Sequence, residues 1–275
     1  MSQPALFTPF TVRNTTMRNR AWVPPMCQYS CLDRTGVPTD WHLVHYGSFA
    51  KGGAGLVIAE ATAVAPEGRI TPHDTGIWND AQLEAWKPIT AFAKSQGAVM
   101  GIQLQHAGRK ASVWPDWGYD QVGSMPFEEG GWETLGPSAT EFADYRAPRE
   151  MTKDEITRVQ ADFVSAAQRA VAAGFEVLEI HAAHGYLLHE FLSPASNHRT
   201  DEYGGALENR ARLLVDIVTD MRAAVGPEVV IFVRLSATDW LTEGWNEMEA
   251  STVVSWCREA GADMFDISSG GNVLG

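Results

Sequence analysis

Short apolar runs alternate with longer segments of helical periodicity from about residue 20 to the last residue. The apolar runs predict buried strands at residues 20–23, 55–64, 99–105, 175–180, 229–235 and 264–268. Apolar positions spaced by three and four predict helices at residues 40–51, 80–95, 152–173, 208–225 and 247–260. Because strands alternate with helices, the sheet should be parallel and covered by the helices.

Local signals at the helix ends support these boundaries. Thr39 or Asp40 is expected to cap the first helix, and Asp80 the second. Thr152 followed by Glu155 forms a capping box, in which each side chain bonds the backbone N–H of the other residue. Glycines that stop a helix follow four of the predicted helices, at positions 97, 174, 226 and 261.

Two architectures fit a parallel α/β chain of this length, an open doubly wound sheet and a closed eight-stranded barrel. No GxGxxG sequence follows any predicted strand, which argues against the dinucleotide-binding open sheet. The fold class is therefore predicted to be an α/β TIM (β/α)8 barrel, of which the chain covers about six of the eight βα units. Residues 106–150 are rich in glycine, proline and tryptophan and are too long for a plain connection, so they should form a functional loop.

Composition restricts the partners. The formal net charge of -13 repels phosphate backbones and anionic membranes, so we expect neither nucleic acid nor a membrane as a partner. Three cysteines are too few for a disulfide scaffold and indicate a reducing compartment. The first residues do not have a signal-peptide pattern, and no apolar stretch is long enough to span a bilayer. We therefore expect a cytoplasmic protein.

Polar or unusual residues follow each predicted strand. In a parallel barrel the carboxyl ends of the strands form one rim, and active sites lie there. These residues are Pro24, Pro25, Met26, Cys27, Gln28 and Tyr29; Glu60, Ala61 and Thr62; Gln103, His106, Arg109 and Lys110; His181, His184 and Tyr186; Arg234; and Ser268 and Ser269. Their convergence on one rim predicts a site more strongly than any single residue does.

His181, His184 and Tyr186 form the densest group. If this loop starts with a helical turn, residues i and i+3 face the same way, so the two imidazoles would donate to one oxygen of a carbonyl or phenolate. Tyr186 adds a weak acid, and the set suits protonation of a carbon beside a polarised carbonyl. Two other interpretations remain open: structural histidines that cap the following helix, and a zinc site that includes His189 or Glu190.

Other rim residues also allow two interpretations. Arg234 ends an apolar strand, where it would pair with Glu60 or Asp266, or stabilise negative charge on a reduced cofactor. Gln103 offers a donor and an acceptor, or is a satisfied core amide. Cys27 is either functional or inert packing. Arg109 and Lys110 would hold a phosphate or be solvated, and the tryptophans at 114, 117 and 132 would form the core of the loop or stack over a substrate.

Four segments together resemble the Old Yellow Enzyme family of flavin-dependent ene-reductases. They are PPMCQYS from Pro24, GIQLQHAGRK from Gly101, HAAHGYLLHEFLSP from His181, and NHRTDEYGG from Asn197, which leads to Glu208, Asn209 and Arg210. The cysteine after Pro-Met is similar to the thermophilic-like or xenobiotic-reductase branch, which has an active-site cysteine. The resemblance runs from about Leu6 to the final residue.

This resemblance implies a role for each rim residue. FMN would lie across the barrel mouth, and Cys27 would tune its potential. The flavin would contact Pro24, Pro25, Met26, Cys27, Ala61, Gln103, His181 and Arg234. His181 and His184 would bind the carbonyl oxygen of an α,β-unsaturated substrate, and Tyr186 would protonate its α-carbon. Tyr29 and Lys110 would line the substrate pocket.

The implied reaction has two halves. NAD(P)H reduces the flavin, and the flavin then passes hydride to the β-carbon of an enone, maleimide or nitroalkene. The resemblance also implies a homo-oligomer with a small-molecule substrate and no metal. An iron–sulfur 2,4-dienoyl-CoA reductase relative and a flavin-free, non-catalytic barrel fragment are the alternatives, and a metal-dependent barrel hydrolase is a weaker one.

The family continues for about two further βα units, so residues 1–275 would be a single FMN-binding barrel domain without its C-terminal units. Three explanations remain open. The sequence is part of a longer protein, which we favour, or it is a fragment completed by another chain. The third explanation is a true truncation that binds FMN poorly.

Overall fold

The computed structural model describes residues 4–274 and consists of a curled parallel sheet covered on its outer face by helices. The strands are β1 (Phe10–Val12), β2 (Thr15–Met17), β3 (Trp22–Val23), β4 (Leu56–Ala63), β5 (Val99–Gln105), β6 (Leu135–Gly136), β7 (Arg149–Glu150), β8 (Val177–Ala182), β9 (Val230–Ser236) and β10 (Met264–Ser268). The α-helices are α1 (Asp40–Gly52), α2 (Asp80–Ser95), α3 (Lys153–Ala172), α4 (Leu187–Leu192), α5 (Leu207–Val225) and α6 (Glu247–Ala260).

The main sheet has six parallel strands in the order β10-β9-β8-β5-β4-β3. Neighbours in this order are consecutive strands of the βα repeat, which is the strand order of a barrel wall rather than of a doubly wound sheet. The predicted α/β barrel architecture is confirmed, with six strands of the wall present among residues 4–274.

The two faces of the sheet differ in what they bury. Outward side chains such as Ile102 and Ile180 pack with the helices in the large hydrophobic core. Inward side chains at the amino ends of the strands, including Val177 and Phe232, form a second cluster with Met17 of β2. The antiparallel hairpin of β1 and β2 therefore packs against the amino end of the barrel interior, and leaves the carboxyl rim to the polar residues.

Most predicted boundaries agree with the structure within two residues. The strand predicted at 20–23 covers only Trp22–Val23, because the backbone N–H of Arg20 donates to Leu6 instead of a strand neighbour. The strand predicted at 175–180 covers Val177–Ala182, since Phe175 still closes the end of α3 by donating to Ala170. Three-residue strands such as those of the hairpin carry too little periodicity to predict, and the hairpin was missed.

The caps explain where the helices start. Thr39 caps α1, and Thr152 with Glu155 forms the predicted capping box of α3. The prediction of Asp80 as the cap of α2 is wrong, because the Asn79 side chain accepts from the backbone N–H of Gln82. A cap of this kind contributes about 1 kcal/mol.

Candidate active site at the carboxyl rim

A layer of polar side chains lies on the inner face of four neighbouring strands. Gln103 of β5 is opposite Glu179 of β8, and His181 of β8 is opposite Arg234 of β9. Asp266 of β10 is opposite Arg234 in turn. Because residues two apart in a strand share a face, Glu179 and His181 point into the same interior. The structure therefore brings together Gln103, His181 and Arg234, as the strand-end pattern predicts.

Hydrogen bonds and charges within this layer identify the partners. Gln103 Nε2 donates to Glu179 Oε1 at 2.7 Å, and Arg234 Nε lies 3.2 Å from Asp266 Oδ2. The alternative pairing of Arg234 with Glu60 is wrong, because Glu60 is bonded elsewhere. Burial raises the pKa of Glu179 to about 7, the charge of Asp266 adds to the rise, and Arg234 opposes it. Sequence reasoning missed Glu179, although its position two residues before His181 places it on the same face.

The imidazoles of His181 and His184 and the phenol of Tyr186 form one group of rings. The centroids of His181 and His184 are 5.2 Å apart, and those of His181 and Tyr186 are 4.9 Å apart, both edge to face. His181 Nδ1 accepts the backbone N–H of Ala183 at 3.4 Å, so a neutral His181 carries its proton on Nε2. His184 Nε2 lies 2.7 Å from the hydroxyl of Ser268 on β10.

All three side chains of this group are held in their neutral forms. Burial lowers the pKa of His181 well below its usual value, and the neighbouring side chains of His184 and Arg234 lower it further. Burial, followed by Arg234, lowers the pKa of His184 to about 4. Burial raises the pKa of Tyr186 well above its usual value. At neutral pH the group therefore offers imidazole and phenol hydrogen-bond donors without a positive charge on the rings.

The loop that carries these residues has a strained backbone held by close contacts. His184 has a left-handed φ of 60° and Gly185 a φ of 74°. A Cβ atom on Gly185 would lie 2.4 Å from the carbonyl oxygen of Gly271. A Cβ on Gly271 would lie 2.7 Å from the Cα of His184. Glycine is therefore required at both positions for the segment after β10 to pack on this loop.

Lys110 and Arg109, which lie in the long loop, both donate hydrogen bonds that hold these segments together. Lys110 Nζ donates to the backbone carbonyl of His184 at 2.8 Å and also to that of Gly271. Burial, with a smaller contribution from Arg109, lowers the pKa of Lys110 to about 8. The buried guanidinium of Arg109 donates to the backbone and side-chain oxygens of Asn272. Arg109 is therefore not solvated, and the substrate contact of Lys110 stays a prediction.

Cys27 lies in a small apolar cluster beside the polar layer. The cluster is built on Tyr29, Ala61 and other buried side chains, and both Cys27 and Tyr186 pack against it. Cys27 is half-buried, and burial raises the pKa of its thiol, helped by the nearby carboxylates of Asp74 and Glu60. The cluster thus joins the first strand end to the histidine loop, and Cys27 is a neutral thiol there.

The aromatic residues of the long loop divide between its core and its surface. Trp114 is buried, as predicted for loop core. Trp117 is 52% exposed, so the prediction of a core position is wrong for this residue. Its ring lies over Tyr29, with centroids 4.8 Å apart. Trp132 is half-buried, and the guanidinium of Arg69 lies 5.0 Å from its ring.

Other rim residues predicted from the sequence bond locally. The Thr62 hydroxyl donates to the carbonyl of Glu60 at 2.8 Å, and Gln28 Nε2 donates to that of Met26 at 2.8 Å. His106 is buried, and burial lowers its pKa to about 4. The residues that stay exposed at the rim are Pro24, Met26 and Ser269. Pro25 is half-buried between Pro24 and Met26.

His189 and Glu190, the two residues that the zinc alternative adds, both contact other groups of the protein. His189 Nδ1 accepts the backbone N–H of Gly185 at 2.9 Å, and its Nε2 lies 3.1 Å from Asp239 Oδ1. Glu190 is buried and accepts the backbone N–H of Arg109 at 2.9 Å. Across residues 4–274 the structure shows no cluster of three or more side chains arranged as metal ligands.

A cavity of about 290 Å³ opens beside the polar layer. Its lining includes Pro24 at the first strand end, Glu179 on β8 and Asp266 on β10. Glu179 Oε2 is one of the buried atoms that have no hydrogen-bond partner among the described residues, and Arg234 Nε is buried with its ion pair to Asp266 but without a well-formed hydrogen bond. A free acceptor beside a guanidinium fits the pyrimidine edge of a flavin, which presents both N–H and carbonyl groups.

An imidazole pair, a phenol and a guanidinium on the carboxyl rim of a parallel α/β barrel fit the class of barrel oxidoreductases that bind a redox cofactor at this rim. The model of the NADH:flavin oxidoreductase / NADH oxidase family matches residues 5–273. The chain belongs to this family, the Old Yellow Enzyme family. FMN and NAD(P)H are its cofactor and reductant, and the chain is that of an NAD(P)H-dependent flavin oxidoreductase.

Curated relatives agree with this family. The chain is 46% identical over 281 residues to an NADH:flavin oxidoreductase of Gibberella zeae, in an alignment that covers 97% of this chain and 67% of the relative. It is 45% identical over 267 residues to an NADPH dehydrogenase of Bacillus subtilis, with 96% of this chain and 73% of the relative covered. Both relatives are named for the oxidation of a nicotinamide nucleotide.

Solved structures show the same fold. The Old Yellow Enzyme homologue of Zymomonas mobilis superposes with a TM-score of 0.83 at 33% identity, over 96% of this chain and 73% of that chain. A 2-naphthoyl-CoA reductase superposes with a TM-score of 0.88 at 27% identity, over 98% of this chain. This chain spans only 41% of the length of that reductase.

Proposed function

We propose that the protein is an FMN-dependent ene-reductase that uses NAD(P)H to reduce the activated carbon–carbon double bond of an enone, maleimide or nitroalkene. One observation carries this proposal: His181, His184 and Tyr186 lie in ring contact on the same rim as Arg234 and Gln103. A reaction that moves hydride to one carbon and a proton to its neighbour needs such donors beside a redox cofactor.

The residues that would hold FMN come from five strand ends. They are Pro24, Pro25, Met26, Cys27, Ala61, Gln103, His181 and Arg234. When bound, FMN accepts hydride from NAD(P)H and passes it to the β-carbon of the substrate. Arg234 would place positive charge by the flavin and favour its reduced form, and the amide of Gln103 would bond the ring edge. The buried Glu179 Oε2, which has no hydrogen-bond partner among the described residues, supports a polar ligand at this position.

His181 and His184 would bind the carbonyl or nitro oxygen of the substrate. Both imidazoles are neutral at pH 7, since their pKa values lie below the usual range. His181 would donate from Nε2, whereas His184 would donate from Nδ1, with its Nε2 accepting the Ser268 hydroxyl. Two such donors would stabilise the negative charge that grows on the oxygen during hydride addition. The bond from Ser268 to His184 and the backbone bond to His181 would orient the rings.

Tyr186 would deliver the proton to the α-carbon of the substrate. Its raised pKa keeps the hydroxyl protonated across the neutral range. Its ring touches His181, so the hydroxyl belongs to the same pocket as the oxygen-binding imidazoles. Tyr29 and Lys110 would line this pocket, and the cluster that joins Tyr29, Cys27 and Tyr186 supports such a position.

The proposal includes a homo-oligomer in the cytoplasm. The three cysteines are free thiols, which fits a reducing compartment. Among residues 4–274, no helix combines the length and apolar character required to cross a membrane.

The test is reconstitution and turnover. The purified protein should be yellow, or become yellow on addition of FMN, and should consume NADPH when cyclohexenone is present. Tyr186→Phe should retain the bound flavin and the oxidation of NADPH by it, and lose the transfer to cyclohexenone. A protein that stays colourless and inactive after FMN is added would refute the proposal for this chain.

A second candidate is a reductase of acyl-CoA thioesters, and the superposition on the 2-naphthoyl-CoA reductase favours it. A conjugated thioester also presents a carbonyl oxygen to an imidazole pair. The same assay with an enoyl-CoA or dienoyl-CoA in place of cyclohexenone separates the two. Turnover of the thioester alone would select the second candidate.

A further inference from the structure

Glu60 is a buried carboxylate at an irregularity of β4, and the proposed reaction gives it no role. In the pairing of β4 with β5, Ala59 is opposite Ile102 and Ala61 is opposite Gln103, so Glu60 is one extra residue. This β-bulge reverses the alternation of the strand. Ala61 faces the barrel interior because of it, on the same side as Gln103.

Each oxygen of the Glu60 carboxylate is held by a different part of the chain. Oε2 accepts the backbone N–H of Gln28 at 2.8 Å, and Oε1 accepts the hydroxyl of Tyr46 at 2.9 Å. The Tyr46 hydroxyl in turn accepts the backbone N–H of Glu60 at 3.0 Å. His42 Nε2 lies 3.3 Å from Oε1, and the side chain of Glu60 is 1% exposed.

The partners of this carboxylate are hydrogen-bond donors. The backbone N–H of Thr39 donates to His42 Nδ1 at 2.8 Å, which leaves the proton of a neutral imidazole on Nε2, facing Glu60. A buried carboxylate with several donors is strongly fixed. Glu60 therefore connects helix α1, through His42 and Tyr46, to the turn that contains Cys27 and Gln28.

This connection fixes two proposed flavin contacts at once. The turn places Cys27 beside Ala61, where the thiol approaches the backbone of Ala61 and the hydroxyl of Tyr29. The bulge at Glu60 places Ala61 itself. Two buried carboxylates, Glu60 and Asp74, lie close enough to affect the Cys27 thiol. Asp74 is engaged by the local turn, where it accepts the backbone N–H groups of residues 70 and 71.

We propose that Glu60 is a positioning residue, which anchors the Cys27 turn to helix α1 and places one negative charge near the flavin. In this role it sets the flavin midpoint potential and the reactivity of Cys27. This rests on the proposed FMN site for the potential, whereas the reactivity of Cys27 is independent of FMN. Glu60 touches neither substrate nor the reacting atoms in this role.

The test compares two variants with the unaltered protein. Glu60→Gln keeps the shape, removes the charge and turns an NH₂ group toward one of the donors that the carboxylate accepts. Tyr46→Phe is the matched control. It removes the two hydrogen bonds of the Tyr46 hydroxyl, one to Glu60 Oε1 and one from the Glu60 backbone N–H, but leaves both the charge of Glu60 and its bond to Gln28. Thermal melts establish that each variant is folded.

The first readout is alkylation of Cys27 by iodoacetamide in protein without FMN, located by mass spectrometry. Cys31 and Cys257 are buried and serve as internal references. Alkylation should become several-fold faster in Glu60→Gln, because loss of the charge favours the thiolate and loss of the anchor frees the turn. The rate in Tyr46→Phe should stay near that of the unaltered protein.

The second readout is the midpoint potential of bound FMN. Removal of a negative charge should favour the reduced cofactor by about tenfold, a positive shift of about 30 mV for a two-electron couple. If the unaltered protein does not bind FMN, the proposed function is wrong. The alkylation rate of Cys27 then decides the role of Glu60 by itself. If Glu60→Gln does not fold, Glu60→Asp replaces it as the test variant. Its side chain keeps the charge but is too short to accept from both Gln28 and Tyr46, so alkylation of Cys27 should still be faster.

Two results would overturn the proposal. One is a folded Glu60→Gln protein with an unchanged alkylation rate and potential. The other is a Tyr46→Phe protein that changes both readouts as much as Glu60→Gln does, because general loosening of the core would then explain them.

Discussion

The rings of His181 and Tyr186 meet edge to face, with centroids 4.9 Å apart. In the proposed reaction, the hydrogen-bond donor for the substrate oxygen and the proton donor for the α-carbon would thus be in direct contact. Because the two donors would act on atoms only two bonds apart in a conjugated substrate, their separation decides whether one bound molecule reaches both.

The first prediction concerns the proposed proton donor. Tyr186→Phe keeps the ring packing and removes only the hydroxyl. The rate of reduced flavin with cyclohexenone should fall by about 10²–10⁴-fold, the usual contribution of a general acid, while the rate with NADPH stays within about twofold. Rapid-mixing measurements of each half-reaction check this. An equal loss of rate in both half-reactions would mean that Tyr186 contributes to flavin binding and not to protonation of the substrate.

The second prediction concerns the two histidines proposed to bind the substrate oxygen. His184→Asn should raise the KM for cyclohexenone by about tenfold, which corresponds to about 1.4 kcal/mol of lost binding. Ser268→Ala is the matched variant, because it removes the hydroxyl that lies 2.7 Å from His184 Nε2 but leaves the imidazole in place. Its effect should have the same direction and be smaller. Steady-state kinetics with several enones would show a larger loss for Ser268→Ala if the hydroxyl itself binds substrate.

The third prediction concerns the glycine at the histidine loop. Gly185→Ala adds a Cβ atom 2.4 Å from the Gly271 carbonyl oxygen at a φ of 74°. Gly205→Ala is the control, since its φ is 77° and no atom lies within 4 Å of the added Cβ. The control should lose about 1–2 kcal/mol from the left-handed backbone alone, and Gly185→Ala clearly more. Denaturant unfolding measures both. Equal losses would show that the segment after β10 does not pack on this loop.

The fourth prediction concerns a buried acid behind the site. Burial raises the pKa of Glu190 to about 8, against the opposing charge of Arg109. A carboxyl with a raised folded-state pKa contributes stability below its unfolded pKa, and this contribution is lost as the pH rises toward 8. The loss has a slope of about 1.4 kcal/mol per pH unit for one proton.

Glu190→Gln mimics the protonated acid and removes this dependence. The difference in unfolding free energy between the variant and the unaltered protein should therefore move in favour of the variant between pH 5 and pH 8. Unfolding curves at a series of pH values provide the comparison. A difference that is constant with pH would show that Glu190 is ionised throughout.

The sequence predicted the parts of the fold and site that depend on local pattern. His181 and Arg234 were found because each ends an apolar strand. Contacts between distant segments were not predictable in the same way. The burial of Arg109 depends on Asn272, which lies 163 residues away. Glu60 bonds Tyr46 rather than Arg234, because a β-bulge at Glu60 reverses the alternation of side chains along β4. No pattern in the sequence predicts this bulge.

The central claim is that the imidazole pair, Tyr186 and Arg234 act on one substrate beside one flavin. Anaerobic rapid mixing of the FMN-loaded protein, first with NADPH and then with cyclohexenone, tests it most directly. The flavin absorbance should bleach with NADPH and return with cyclohexenone, with formation of cyclohexanone. Absorbance that bleaches with NADPH but does not return with any activated alkene would contradict the claim.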